Sequence, residues 1–99
     1  MKQFKDLEFK KVGHGGFGSH SVIGDHVLSV QCGQFVYSTP RENLNTPSKF
    51  SSFEIAIWKN DSSREFVTDQ FIDTDDEVAG WVSPDEITRV IQKLKNEKQ

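Results

Sequence analysis

The sequence predicts an α+β domain, in which a small, mainly antiparallel β-sheet of four to five strands carries one C-terminal α-helix on a face. Its 99 residues suit a single domain with one core, so we treat residues 1–99 as one unit. Short β-prone runs separated by turn residues fill most of the chain, and the strongly helical pattern comes at the end. A compact meander closed by a helix follows from that order.

The clearest turn in the first half of the chain is Gly24-Asp25, which separates the β-prone runs SHSVI and HVLSVQ. Glycine at the first turn position and aspartate at the second suit a type II′ or type I′ hairpin, whose twist matches that of the strands. The register stays open at this point. A two-residue turn pairs Val22 with Val27, whereas a three-residue loop pairs Val22 with Leu28 and exchanges the two faces of the strand.

The strand with the strongest pattern is FEIAIW, residues 53–58. Phe53, Ile55 and Ile57 point to one face, and the residues between them point to the other. Turn residues follow at positions 60–63. The next segment, REFVTDQF, is expected to return as a hairpin partner of this strand.

The C-terminal helix has both a start signal and an apolar stripe. The Ser83 hydroxyl can accept a hydrogen bond from the Glu86 amide, and Pro84 fits the first helical position, where no N–H is needed. Four apolar residues at helical spacing form the stripe: Ile87, Val90, Ile91 and Leu94. Because such a stripe needs a surface to cover it, the helix is expected to lie on the sheet.

Residues 37–50, YSTPRENLNTPSKF, have no periodicity and contain two prolines, so a long polar loop is expected there. Ordering such a loop costs conformational entropy and adds little core, and long loops therefore tend to be functional. Residue types common at interfaces occur at Tyr37, Arg41, Asn43 and Asn45. We predict that these four bind a partner protein; a merely mobile loop is the alternative.

Charge is divided unevenly along the chain. Residues 1–50 carry six basic and four acidic side chains, whereas residues 51–99 carry six basic and eleven acidic ones. Most of the acidic side chains lie within residues 61–86. A surface of this sign repels nucleic acid and attracts basic partners. The sequence therefore predicts a partner with a basic surface, contacted by Asp75 and Asp76, and no nucleic-acid binding.

Residues 13–18, GHGGFG, match the letters of a phosphate-binding G-x-G-x-x-G motif. A dinucleotide site needs a helix directly after the motif, but the residues that follow have the pattern of a hairpin. We therefore interpret the stretch as a flexible connection after a first strand near residues 7–11. The alternative function is binding or sequestering of a small nucleotide-like anion, with five candidate residues: Gly15, Gly16, His20, His26 and Arg41.

No pattern in the sequence is typical of a catalytic or metal centre. His14, His20, His26 and Cys32 recur every six residues, which matches neither the paired spacing of zinc ligands nor a helical pair. No Ser/His/Asp or Cys/His set can be assembled. The sequence predicts a protein that is not an enzyme and uses no cofactor or metal, with Cys32 as a structural thiol.

Three further expectations concern the cellular location, the role of Trp81 and the oligomeric state. No apolar run is long enough for a signal peptide or a membrane span, so a cytoplasmic protein without membrane contact is expected. Trp81 is expected to be a core anchor where the helix docks, with a partly exposed contact residue as the alternative. Ala56 and Trp58 on the second face of the best strand, together with an exposed edge strand, favour a homodimer.

Several fragments together resemble one group of proteins. DLEFK near the start, a Gly-Asp turn leading into VLSV, the strand FEIAIW, and DEVAGWVSPDEI leading into a helix are similar to segments of small uncharacterised accessory proteins of tailed bacteriophages and prophages. The connection at residues 37–50 is longer and more polar here than in that group. The resemblance transfers no catalytic residue, and it implies an accessory protein in the cytoplasm of a bacterial host. Together with the acidic segment and the polar loop, it predicts a non-enzymatic protein that binds and modulates a host or anti-phage defence protein.

Overall fold

The computed structural model describes residues 3–13 and 15–97. Within this part of the chain, five strands form one antiparallel sheet in sequence order, and a 13-residue helix follows them: β1 (Lys10–Lys11), β2 (Phe17–Ile23), β3 (His26–Cys32), β4 (Phe53–Lys59), β5 (Val78–Val82) and α1 (Pro84–Asn96). Short 3₁₀ helices lie at Phe4–Asp6, Pro47–Lys49 and Thr68–Gln70. The predicted α+β architecture is confirmed.

The β2–β3 hairpin adopts the two-residue turn. Ile23 lies opposite His26, and Val22 lies opposite Val27. Gly24 has a φ of +60°, and no left-handed φ occurs at the aspartate that follows it, which is the pattern of a type II′ turn. This register decides which side chains of the two strands face the helix.

One face of the sheet, which we call the helix face, carries the core. The four stripe residues of α1 are at most 2% exposed, and they pack on β-strand side chains that are at most 1% exposed: Leu28, Val30, Phe53, Ile55 and Ile57. The Ser83 hydroxyl accepts the Glu86 N–H at 3.2 Å, as the start signal predicts. Burial of this apolar area is the main stabilising contribution to the fold.

The N-terminal segment differs from its prediction. A strand was expected near residues 7–11, but β1 has two residues and the segment before it includes a 3₁₀ turn. Phe4 and Phe9 pack on Phe53, with ring centroids 4.9 and 5.7 Å away, and the Phe4 N–H donates to Thr88 Oγ1 at 3.0 Å. The N-terminal segment is therefore placed by the packing of these rings on the helix-face core, and not by strand pairing before Lys10.

Two separate segments of the chain pair with the edge of β4 that faces away from β3. Phe66 makes an isolated bridge with Trp58, and on either side of it the Lys59 N–H donates to the Glu65 carbonyl and the Val67 N–H donates to the Ile57 carbonyl. The predicted return of this segment is therefore confirmed at residues 65–67. The chain then leaves the sheet at Thr68, and β5 pairs with β4 further along. Between the Phe66 bridge and β5, the Thr68 side chain takes the place of a paired strand. Its Oγ1 accepts the Ile57 N–H at 2.9 Å and donates to the Glu77 carbonyl at 2.6 Å.

The other face of the sheet, which we call the open face, is covered by no helix of the described residues. Val22, Val27, Trp58 and Phe66 form a row across it, because each is paired with the next. The His20 ring meets Trp58 edge-on, with centroids 5.5 Å apart. Val22 is 62% exposed at the end of the row.

Candidate functional site

An exposed aromatic cluster lies beside β5. The rings of Tyr37 and Trp81 stack with centroids 4.9 Å apart and planes inclined by 30°. The Arg41 guanidinium lies over the Tyr37 ring, 5.1 Å from its centroid. Tyr37 is 43% exposed and Trp81 is 57% exposed. We call Tyr37, Arg41 and Trp81 the aromatic platform. Tyr37 and Arg41 are two of the predicted contact residues, and Trp81 belongs to β5.

Hydrogen bonds from their main-chain N–H groups place Tyr37 and Trp81 next to each other. The Trp81 N–H donates to the Tyr37 carbonyl at 2.9 Å, and the Tyr37 N–H donates to Glu54 Oε1 at 3.1 Å. A Cβ atom added to Gly80 would lie only 2.7 Å from the Tyr37 Cβ. Glycine at position 80 therefore lets the loop approach the strand closely enough for the rings to stack.

Trp81 is not the core anchor that was expected. The β4–β5 register shifts between Phe53 and Ile55, and Trp81 lies in the resulting bulge with a φ of +53°. Because of the bulge, both Ala79 and Val82 are buried while Trp81 between them faces solvent. A left-handed backbone at a bulky residue is unusual and costs on the order of 1–3 kcal/mol. Such an outlier at an exposed aromatic residue motivates a functional hypothesis.

Tyr37 lies in the segment between β3 and β4, residues 33–52. Hydrogen bonds of the buried Ser38 side chain stabilise this segment near Tyr37. This side chain is 1% exposed; its hydroxyl accepts the Gly33 N–H at 3.1 Å and lies within hydrogen-bond distance of the Gly33 and Pro40 carbonyls. Thr39 adds an isolated bridge to Ser52. These contacts place the platform on an ordered part of the segment.

The two asparagines predicted as contact residues are not part of the aromatic platform. Asn43 Oδ1 accepts the Gln34 N–H at 3.0 Å, and a Cβ added to Gly15 would lie 2.6 Å from Asn43 Nδ2. The Asn43 side chain therefore lies against the glycine turn. Asn45 is exposed.

The predicted acidic contact residues lie at the other end of β5. Asp75 and Asp76 are exposed in the turn before Val78, and the Thr74 hydroxyl orders that turn by donating to the Val78 carbonyl and accepting the Asp76 N–H. Val78 pairs with Ala56 and Val82 pairs with Phe53, so β5 advances by about 10 Å between Val78 and Val82. The acidic turn and the platform are therefore two separate ends of one strand.

The residues of the small-ligand alternative are not brought together. His20 lies on the open face, whereas His26 is buried on the helix face with its ring edge-on to Phe71, 5.2 Å away. His26 Nδ1 is buried without a hydrogen-bond partner among the described residues. Arg41 lies in the platform. His14 lies outside the described residues.

The glycine-rich stretch forms the connection between β1 and β2. The Val12 N–H donates to the Gly16 carbonyl, and the Gly15 N–H donates to the Val12 carbonyl, which closes a tight turn. β2 follows directly, so among the described residues no helix begins after this turn as a phosphate-binding motif requires. A groove of about 580 Å³ lies nearby, but it runs along β1 and β2 and does not include Gly15 or Gly16.

Cys32 is fully buried, and burial raises the pKa of its thiol from the ordinary value of 9.0 to about 11. The unfolded chain therefore loses the thiol proton at a lower pH than the folded chain does. We expect the free energy of unfolding to fall by about 2 kcal/mol as the pH rises from 9 to 11. Urea unfolding of the wild type and of Cys32→Ala across this range checks it, since tyrosine and lysine titrate alike in both. An identical pH slope in the two proteins would contradict the expectation.

Comparison with protein-family models, with curated proteins and with solved structures gives no match for this chain. The described residues contain no group of three or more His, Cys, Asp or Glu side chains placed to hold a metal ion. No helix among them is long and apolar enough to cross a membrane. The aromatic platform and the acidic turn are the two surface features that bear on function.

Proposed function

We propose that this protein is a non-enzymatic binding module whose aromatic platform contacts a partner protein. Trp, Tyr and Arg are the residue types most enriched at binding hot spots, and the platform holds one of each, with Tyr37 in contact with both of the others. The observation that carries the proposal is Trp81, which is more than half exposed on a strained backbone. Packing within the domain does not account for a tryptophan in that position.

The platform also suggests the chemistry of the partner. Stacked rings held by backbone contacts lose little conformational entropy on binding, so they suit an apolar or aromatic side chain of the partner. The acidic turn, about 10 Å along β5, favours basic groups there. The partner therefore presents an apolar anchor beside a basic patch.

The partner class is a protein of a bacterial host or of an anti-phage defence system. The resemblance to bacteriophage and prophage accessory proteins supports this class, and so does the acidic charge of residues 61–86. Binding, rather than turnover, is then the means by which the protein modulates its target.

Affinity capture from bacterial lysate tests the proposal. At low salt, the immobilised wild type is expected to retain a specific protein, and Trp81→Ala is expected to weaken its binding about tenfold or more. Reversing Asp75 and Asp76 to lysine should weaken binding mainly at low salt, because exposed charges are screened as salt rises.

Two matched variants serve as controls. Phe66→Ala removes an aromatic residue of comparable exposure from the open face and should leave capture unchanged. Arg41→Lys keeps the charge of the platform but loses the planar stack on Tyr37, so it separates stacking from simple attraction. If no protein is retained above background, or if Trp81→Ala retains the same proteins as the wild type, the proposed function is wrong.

A further inference from the structure

The outer edge of β2 is open over most of its length. β1 pairs only with Phe17 and Gly18, and no other described residue pairs with the remainder of this edge. Since Ile23 and His26 flank a two-residue turn, they form a hydrogen-bonded pair, and pairs of this kind alternate along the ladder. The N–H and C=O groups of His20 and Val22 therefore point away from β3, toward the groove along this edge.

The strand itself lacks most of the features that usually prevent strands from pairing. Ser19–Ile23 contains no lysine, no acidic residue, no proline and no register shift. Val22, one of the two residues whose main-chain groups are open, is 62% exposed. An apolar side chain on an unprotected edge is the condition under which another strand adds to a sheet.

The charges at the two ends of β2 favour a second copy of the chain as the added strand. Exposed Lys10 and Lys11 flank the Gly18 end, with Glu8 nearby, and exposed Asp25 lies at the turn end. An antiparallel two-fold arrangement brings the basic end of each copy to the acidic end of the other. The same edge is thereby complementary to itself.

We propose that two copies of this chain pair their β2 edges antiparallel about a two-fold axis at Val22, which joins their sheets into one continuous sheet. Val22 then exchanges both main-chain hydrogen bonds with the partner's Val22, and the two exposed valine side chains pack on each other. In this register the partner's Asp25 lies opposite Ser19, one position from the residue that Lys10 flanks. The aromatic platform lies at the opposite end of the strand order, so dimerisation leaves it accessible.

Sedimentation velocity over micromolar concentrations tests the dimer. The wild type is expected at twice the chain mass of 11.3 kDa, and Val22→Glu is expected at the mass of one chain, because it places like charges opposite each other at the axis. Phe35→Glu alters a residue of similar exposure outside β2 and should leave the dimer intact. Thermal unfolding of each variant confirms that it is folded.

Charge reversal tests the antiparallel register independently of Val22. Lys10→Glu alone and Asp25→Lys alone should each weaken self-association, since each puts like charges together twice. An equimolar mixture of the two variants should restore association, because the heterodimer pairs opposite charges at both ends. A wild type that stays at 11.3 kDa, which is also the result expected if the edge binds another protein, overturns the proposal. So does a Val22→Glu dimer, or a mixture that does not associate.

Discussion

Replacing Phe53 by alanine is expected to lower the free energy of unfolding by about 3–5 kcal/mol, the range for a large buried aromatic residue. Phe53 is 1% exposed, and its ring lies 4.9 Å from Phe4, 5.7 Å from Phe9 and 6.3 Å from Phe50, measured between centroids. Removing it opens a cavity and also loosens the N-terminal segment and the end of the long loop. Urea unfolding followed by far-ultraviolet circular dichroism measures the loss.

Two comparisons make this expectation specific. Phe35→Ala deletes a ring that is 65% exposed and should change stability by less than about 0.5 kcal/mol. Phe53→Leu keeps most of the buried volume, so it should stay folded and lose less than Phe53→Ala. A loss below about 1 kcal/mol for Phe53→Ala would mean that the N-terminal rings do not pack on this residue.

Local patterns predicted those elements whose environment is set by near neighbours in sequence. The alternation of Phe53, Ile55 and Ile57 identified β4, since each of these side chains faces the same core. The Ser83 start signal and the apolar stripe identified α1 for the same reason. Gly24-Asp25 identified a turn, and only the structure decided its length, because both registers give β-strands of similar pattern.

Non-local contacts explain what the sequence could not supply. The spacing of Phe4, Leu7 and Phe9 follows no strand or helix period, because these residues are placed by contacts with β4 and α1. The break between the two segments that pair with β4 lies at Thr68, whose hydroxyl bonds to Ile57, eleven residues away. Neither arrangement leaves a periodic signal in the sequence.

The candidate site was predicted in part. Loop length and residue type led to Tyr37 and Arg41, and these two contact each other. Strict strand alternation, however, puts Trp81 on the same face as Ala79, and only the bulge turns it outward beside Tyr37. Gly80 was the available signal, because an isolated glycine within a strand often marks a bulge or a close backbone approach.

Replacing Thr68 by valine is expected to lower the free energy of unfolding by about 2–4 kcal/mol, because valine keeps the shape but removes the partner of the buried Ile57 N–H and of the part-buried Glu77 carbonyl. Thr68 is 1% exposed, and its hydroxyl serves both the Ile57 N–H and the Glu77 carbonyl. The first hydrogen bond supplies a partner for the Ile57 N–H of β4. The second holds Glu77, the residue before β5, beside Thr68. Urea unfolding of Thr68→Val against the wild type measures the cost.

Thr68→Ser separates the hydroxyl from the methyl group. Serine keeps both hydrogen bonds and loses one methyl, so it should cost about 1 kcal/mol and clearly less than valine. Because Thr68 bonds to the residue that precedes β5, Thr68→Val should also disturb the acidic turn at residues 73–77, which amide hydrogen exchange in that turn would report. If valine costs no more than serine and exchange is unchanged, the hydroxyl does not hold β5 to β4, and another contact must position the strand that carries Trp81.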